Sequence, residues 1–143
     1  MSTNSGRIGK YELQELVGRG SMTEVWKAFD TQQKLYVAIK FFHPDVQVDP
    51  DFVTRFLSEA KVIASLDHPN IVQIHAFQVS QQPIGERLSP TQNPTPYVVM
   101  DYIEGQTLED FIMHTSRMGR FPPAAEIVRI MLPISTAIDY AHL

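Results

Sequence analysis

The feature that most constrains this chain is a pair of glycines followed by two short runs of strand-forming residues. Gly18 and Gly20 precede residues 25–29, whose character alternates, and a polar turn at 30–34 leads into a second run at 36–40. This order predicts a strand, a glycine turn, and a hairpin of two further strands. Because glycine has no side chain, backbone N–H groups at such a turn can come close to a bound anion.

Lys40 ends the second run and shares one strand face with Ala38 and Phe42. A lysine in this position either extends its charge to solvent at an edge or is placed to contact a ligand. The glycine turn upstream favours the second interpretation, since an ammonium adds a point charge to the backbone donors. Together, these residues predict a nucleotide site in which the glycine turn covers the phosphate tail and the charge of Lys40 binds it.

Two other phosphate-binding motifs do not fit this stretch. Thr23 stands where G-x-G-x-x-G has its third glycine, and the residues after Gly20 alternate at strand period instead of starting a helix. The pattern G-x-x-x-x-G-K-[ST] is absent. A glycine turn, a strand and then V-A-I-K at 37–40 resemble the protein kinase family, whose strand-lysine motif is matched letter for letter. We predict a negative φ at Thr23, because this position lies furthest along the returning strand; at positive φ a β-branched residue would be strained.

The composition excludes several other classes of protein. The chain has 143 residues, of which 43% are hydrophobic, and a net charge of −4, which suits one globular unit with a real core. Mild acidity without a basic run argues against a nucleic-acid binder. The absence of cysteine excludes disulfides and thiolate metal sites, and the five scattered histidines predict no metal site. No apolar run has membrane-spanning length and no signal peptide is evident, so we expect a cytoplasmic setting.

A helix is predicted from about Pro50 to Leu66, with Asp49 as its N-cap. Its apolar face contains a carboxylate, Glu59, in phase with the residues Phe52, Phe56, Ile63 and Leu66. Glu59 either pairs with Arg55 on the helix surface, a weak interaction, or pairs with Lys40 and aims its ammonium at the phosphates. The helical phase of Glu59 favours the pair with Lys40, and the surrounding residues 55–74 resemble the αC region of kinases.

The remaining chain predicts two more strands and two more helices. A strand at 71–77 is followed by a loop insertion at 78–96 and a strand at 97–105, which resembles the kinase hinge. Thr107 is expected to cap a short helix from Leu108 to about His114. A last helix starts at Pro122–Pro123 and carries an apolar stripe, with a kink or a later start expected because of Pro133. The stripe consists of Ile127, Ile130, Met131, Ile134 and Ile138.

The resemblance covers residues 11–143 and is closest to bacterial-type serine/threonine protein kinases. It implies an α+β fold: an N-lobe with a five-stranded antiparallel sheet plus the αC helix, together with the hinge, at 11–104, followed by the first helices of an incomplete helical C-lobe at 105–143. Residues 1–10 are expected to be disordered. Such kinases transfer the γ-phosphoryl group of Mg-ATP to a protein hydroxyl, so ATP, Mg²⁺ and a protein substrate are the implied partners.

The resemblance also implies roles for individual residues. Val17, Val25 and Ala38 would enclose adenine, and the backbone of Asp101 and Ile103 would hydrogen-bond its edge, with Met100 as gatekeeper. Gly18 and Gly20, with the neighbouring backbone of Arg19 and Ser21, would cover the phosphates. Lys40 would hold the α- and β-phosphates and Glu59 would hold Lys40.

The motifs that supply the catalytic base and the metal ligands, H-R-D-x-x-x-x-N and D-F-G, are not found in this sequence. Three interpretations follow: the ATP-binding half of an active kinase, a short protein that binds nucleotide or a partner without catalysis, or an interaction module with an empty site. The chain by itself is predicted to be inactive. With the stripe of the last helix uncovered, we also expect it to be poorly soluble or oligomeric.

Overall fold

The computed structural model describes residues 6–42, 51–80 and 95–142 and has the predicted α+β architecture. Six strands are present: β1 (Arg7–Ile8), β2 (Tyr11–Arg19), β3 (Thr23–Asp30), β4 (Leu35–Phe42), β5 (Ile74–Ser80) and β6 (Thr95–Asp101). Three helices accompany them: α1 (Phe52–Ala64), α2 (Leu108–Arg117) and α3 (Ala124–His142). The described chain divides into two compact units, one of residues 1–65 with 73–102 and one of residues 66–72 with 103–143.

The six strands form one antiparallel sheet in the order β1-β2-β3-β4-β6-β5. The hydrophobic core lies on the face that carries alternate residues of β4, where Ile39 is fully buried. Since side chains alternate along a strand, Ala38 and Lys40 stand on the opposite face. The buried core cluster consists of Ile8, Tyr11, Leu13, Ala28, Val37, Ile39, Phe41, Tyr97 and Val99.

The sheet has one strand more than the five predicted, and the additional strand lies in the segment expected to be disordered. β1 pairs with β2, Ile8 is buried in the core, and Lys10 forms an ion pair with Asp30. The prediction of disorder over 1–10 is therefore wrong for residues 7–10, whereas residues 1–5 lie outside the described chain. A two-residue strand is too short for an alternation pattern to reveal it.

The strands around the predicted insertion also differ from expectation. β5 begins at Ile74 instead of residue 71, because the chain first turns at His68–Ile71, where the Ile71 N–H donates to the His68 carbonyl at 3.1 Å. β5 then continues to Ser80 and β6 starts at Thr95, so strand pairing occupies both ends of the predicted 78–96 loop. Residues 81–94 lie outside the described chain.

Helix α1 begins at Phe52 and ends at Ala64, slightly inside the predicted limits. The predicted N-cap Asp49 and Pro50 lie outside the described residues, and Asp51 occupies the N-cap position without a capping side-chain hydrogen bond. The Phe56 ring of α1 lies 5.0 Å from the ring of Phe42 and 5.7 Å from that of Phe77, both in edge-on geometry. These ring contacts fasten the helix to the sheet.

The second unit contains α2 and α3. The Thr107 hydroxyl accepts the N–H of Asp110 at 3.1 Å, and the Asp110 carboxylate accepts the Thr107 N–H, which completes a capping box. The predicted cap is therefore confirmed, although the helix extends to Arg117. Helix α3 starts at Ala124, one residue after Pro123, and runs past Pro133 as one helix.

Candidate functional site

The glycine turn joins β2 to β3 at one end of the sheet. Gly20 donates its N–H to the Thr23 carbonyl at 2.8 Å, which closes the turn over Ser21 and Met22. Thr23 has no positive φ, as predicted. A Cβ placed on Gly18 would meet no atom within 4 Å, so the space beside this glycine is open to a ligand.

The residues predicted for the nucleotide lie on one face of the sheet. Gly18 is the cross-strand partner of Val25, and Val25 is the partner of Lys40. Ala38, two residues before Lys40, is the partner of Met100. Since directly opposite residues project to the same side of a sheet, these five residues share the face opposite the core.

A cavity of about 480 Å³ lies between this face and helix α1. Its lining joins Lys40 and Met100 from the sheet with Phe56, Glu59 and Ile63 from the helix. The predicted phase is therefore confirmed for Phe56, Glu59 and Ile63, which line one cavity, whereas Leu66 lies beyond the end of α1.

The predicted ion pair between Lys40 and Glu59 is not formed. Among the salt bridges between described residues, none joins the two, and Glu59 is exposed even though both side chains line the same cavity. Helical phase determines which way a side chain points, but the distance to its partner depends on how far the helix stands from the sheet. The separation could not be inferred from residue spacing.

The segment that resembles the hinge is held by contacts with residues before and within β5 and with Lys27 of β3. Asp101, the last residue of β6, donates its N–H to the Gln73 carbonyl at 3.0 Å, and its carboxylate lies 2.6 Å from His75 Nε2. The Lys27 ammonium lies 4.5 Å from the ring centroid of Tyr102, within cation–π range. Ile103, the other predicted adenine contact, is exposed and belongs to the second unit.

One residue near the glycine turn, Glu24, was not singled out by the sequence analysis, and neither was its contact with Arg19. Glu24 is buried, pairs with Arg19 at 2.7 Å and accepts the indole N–H of Trp26 at 3.2 Å. Arg19 and Glu24 are direct cross-strand partners. The opposite charges of Arg19 and Glu24 on either side of the glycine turn could have indicated the pair, but the burial of Glu24 could not be inferred from the pattern.

Neither a metal centre nor a membrane span is found in the described part of the chain. Its acidic and imidazole side chains form no group of three that could hold a metal ion. None of its helices is both long and apolar enough to cross a bilayer.

Comparison with known proteins agrees with the fold and with the motifs. The probable serine/threonine-protein kinase PknB of Bifidobacterium longum is 36% identical over 134 residues, which are 94% of this chain and 18% of that protein. The serine/threonine-protein kinase PknB of Mycobacterium tuberculosis is 36% identical over 142 residues, 99% of this chain and 21% of that protein. The chain thus spans about a fifth of the length of these relatives.

Solved kinase structures share this fold. The crystal structure of the Mycobacterium tuberculosis PknI kinase domain superposes with a TM-score of 0.71 at 23% identity, covering 99% of this chain and 52% of that domain. The protein kinase domain family matches residues 11–143, nearly the whole sequence. With its sheet, its glycine turn and its strand lysine in the order described above, the chain belongs to the protein kinase family.

Proposed function

We propose that this chain forms the ATP-binding part of a serine/threonine protein kinase that transfers the γ-phosphoryl group of ATP to protein hydroxyls. The observation that carries the proposal is the row of Gly18, Val25 and Lys40 across three adjacent strands, on the face opposite the core. Membership of the family supports it. Because ATP is the donor, the proposal places these residues in the cytoplasm.

The residues present fit the phosphate tail of a nucleotide. Open space beside Gly18 allows a phosphate to approach the backbone closely. Lys40 takes part in no ion pair among the described residues, so its charge remains available for the α- and β-phosphates. In this assignment the backbone of residues 18–21 covers the phosphates. When bound, ATP supplies the phosphoryl group that is transferred.

The base of the nucleotide is assigned to the other end of the same face. Val17, Val25 and Ala38 provide apolar contacts for adenine, and Met100 closes the way into the cavity behind it. The backbone of Asp101 and Ile103 provides the acceptor and the donor for the adenine edge. The hydrogen bond from the Asp101 N–H to Gln73 and the contact between its carboxylate and His75 support this role, because they restrain the residue whose carbonyl would be the acceptor.

Glu59 is assigned as the positioning partner of Lys40, although the two are not paired in this structure. The proposal therefore requires α1 to approach the sheet when the nucleotide binds. No residue of this chain is assigned as the catalytic base or as a ligand for Mg²⁺. Phosphoryl transfer depends on both groups, and the full-length kinase would supply them.

The proposal is tested by measuring MgATP binding to this chain with a fluorescent nucleotide, for the native sequence and for Lys40→Met. Loss of the point charge should weaken binding at least tenfold, or about 1.4 kcal/mol. Lys61→Met is the matched control, because Lys61 is an exposed lysine in the last turn of α1 and does not line the cavity. Equal affinities for all three proteins would refute the assignment.

Catalysis is tested separately, in a full-length polypeptide that includes this chain. Lys40→Met should nearly abolish ATP-dependent phosphorylation of protein serine or threonine, while Lys61→Met should leave it unchanged. Full turnover by the Lys40 variant would exclude the proposed role of Lys40.

A further inference from the structure

We propose that Arg19, Glu24 and Trp26 form a positioning device that holds the glycine turn in the shape needed to cover the phosphates. The inference rests on the proposed function and deepens it by naming residues that act on the nucleotide through the turn. None of the three is required to touch ATP with its side chain.

The geometry of Glu24 shows that its carboxylate is held at both oxygens. Oε1 lies 2.7 Å from Nη2 of Arg19, and Oε2 accepts the Trp26 indole N–H at 3.2 Å. The Glu24 side chain is 6% exposed, whereas the Arg19 side chain is 60% exposed. A buried carboxylate held by one donor at each oxygen has little freedom to turn, so it fixes the position of the arginine that reaches it.

The cluster connects the turn to the core of the sheet. Trp26 packs against the buried core cluster, and its cross-strand partner Ile39 is fully buried. Arg19 lies between the two glycines at the end of β2, directly opposite Glu24. A continuous series of contacts therefore runs from the core through Trp26 and Glu24 to the start of the turn.

The cluster lies on the side of the hairpin that faces away from the proposed nucleotide. Gly18 and Val25 are cross-strand partners on one face, and Arg19 and Glu24, the next partners along, project to the other. The Arg19 guanidinium is thus paired with Glu24, and only the backbone of Arg19 is available to the phosphates. Side chains behind the hairpin can set its shape without blocking the ligand.

The physical effect of the cluster is to reduce the number of conformations available to the turn. Any movement that separates Arg19 from Glu24 leaves a buried carboxylate with one donor fewer, which is unfavourable. A turn that is already ordered loses less conformational entropy when phosphate binds, and binding is tighter as a result. The benefit should appear for ligands that carry phosphates and should be absent for the nucleoside alone.

The experiment compares three proteins: the native chain, the Glu24→Gln variant and the Arg19→Met variant. For each, the affinities for MgATP and for adenosine are measured by competition with a fluorescent ATP analogue. Both variants should bind MgATP about tenfold more weakly and adenosine within about twofold of the native affinity. Arg19→Lys should recover most of the loss, because it restores a cation opposite Glu24. Equal losses for both ligands, or no loss for MgATP, would overturn the inference.

Asp30→Asn is the matched control. Asp30 is a second buried carboxylate in β3, paired with Lys10 at the other end of the strand. Its replacement should leave the ratio of the MgATP affinity to the adenosine affinity unchanged even if it lowers the stability of the chain. A fall in that ratio as large as the one in Glu24→Gln would show that any buried ion pair of this strand affects phosphate binding equally, and it would contradict a specific role for Glu24.

Amide hydrogen exchange without ligand separates failure of this inference from failure of the proposed function. If the native chain binds no ATP, the proposed function is wrong, but the shape of the turn can still be measured. Exchange at the Gly20 amide, which donates to Thr23, should be faster in Glu24→Gln and Arg19→Met than in the native chain or in Asp30→Asn. Unchanged exchange in both cluster variants would overturn the inference.

Discussion

Replacing Asp30 with asparagine is expected to lower the free energy of unfolding by about 2 kcal/mol. The Asp30 carboxylate is 3% exposed and accepts three hydrogen bonds, one from Lys10 Nζ at 2.8 Å and two from the N–H groups of Gln32 and Gln33 at 2.9 Å. Asparagine keeps Oδ1 for the two backbone donors but presents an NH₂ group to the lysine. The loss is therefore one charge-assisted hydrogen bond, about 1.5–3 kcal/mol.

Asp30→Ala should be more harmful, because it also removes the acceptor of the two backbone N–H groups. With about 1 kcal/mol added for each, the total reaches roughly 4 kcal/mol. The turn from Asp30 to Lys34 should loosen as well, since Lys34 adopts a positive φ of 58° that a non-glycine residue rarely takes without support. The order of stability should be native, then asparagine, then alanine.

The pH dependence of stability follows from the pKa of Asp30. Burial alone would raise this pKa, but the hydrogen bonds from Lys10 and from the N–H groups of Gln33 and Gln32 outweigh burial and lower it. A carboxyl whose pKa is lower in the folded chain than the unfolded value of about 3.9 stabilises the fold above that value. The contribution is lost as the pH falls through the folded pKa.

Urea unfolding followed by circular dichroism, at pH values from 7 to 3, measures both effects. The difference in free energy of unfolding between the native chain and Asp30→Asn should be constant from neutral pH to about pH 5 and should shrink as the pH falls further. Glu12→Gln, an exposed acidic residue of β2, is the control and should change stability little at any pH. A difference that grows on acidification, or is absent at pH 7, would refute the reasoning.

The glycine turn and the second unit give two further predictions. Gly18→Ala should leave the melting temperature unchanged or slightly raised, since no atom lies within 4 Å of the added Cβ and φ is not positive. It should nevertheless weaken MgATP binding about tenfold, because the methyl group occupies the space proposed for phosphate; unchanged binding would contradict the assignment. Thr107→Ala should destabilise α2 by about 1 kcal/mol. By NMR titration the pKa of Asp110, lowered by hydrogen bonds from the Thr107 hydroxyl and N–H, should rise in this variant, and an unchanged pKa would exclude the capping box in solution.

The faces of the strands could be predicted from the sequence, but several of their limits could not. Alternation along 35–42 placed Ala38 and Lys40 on one face correctly, because strand period is a local property. The register shift between Leu16 and Gly18 was not visible, since the extra residue of a bulge depends on pairing with β3. β1 was missed for a similar reason: what stabilises it is the burial of Ile8 against distant strands.

Buried polar contacts were the least predictable part of the candidate site. The opposite charge of Arg19 across the turn is a local signal for a pair, but nothing local shows that Glu24 is buried while Glu12 and Glu15 of the neighbouring strand are exposed. Glu24 differs only because Arg19 lies opposite and the Trp26 indole points to it after the hairpin has formed. Contacts of this kind arise from register, which the strand pattern alone leaves open.

Lys40 and Glu59 show the limit of periodicity most clearly. Each is on the correct face, and both line the same cavity, yet they do not pair. The position of α1 depends on the ring contacts of Phe56 with Phe42 and Phe77, which bind the helix to β4 and β5 and line the same cavity. Edge-on ring contacts tolerate small shifts, since aromatic pairs are favourable over centroid distances of about 4.5–7 Å. Small shifts of the helix therefore keep these contacts, and a phosphate tail that fixes the lysine would favour a shift that brings Glu59 towards it.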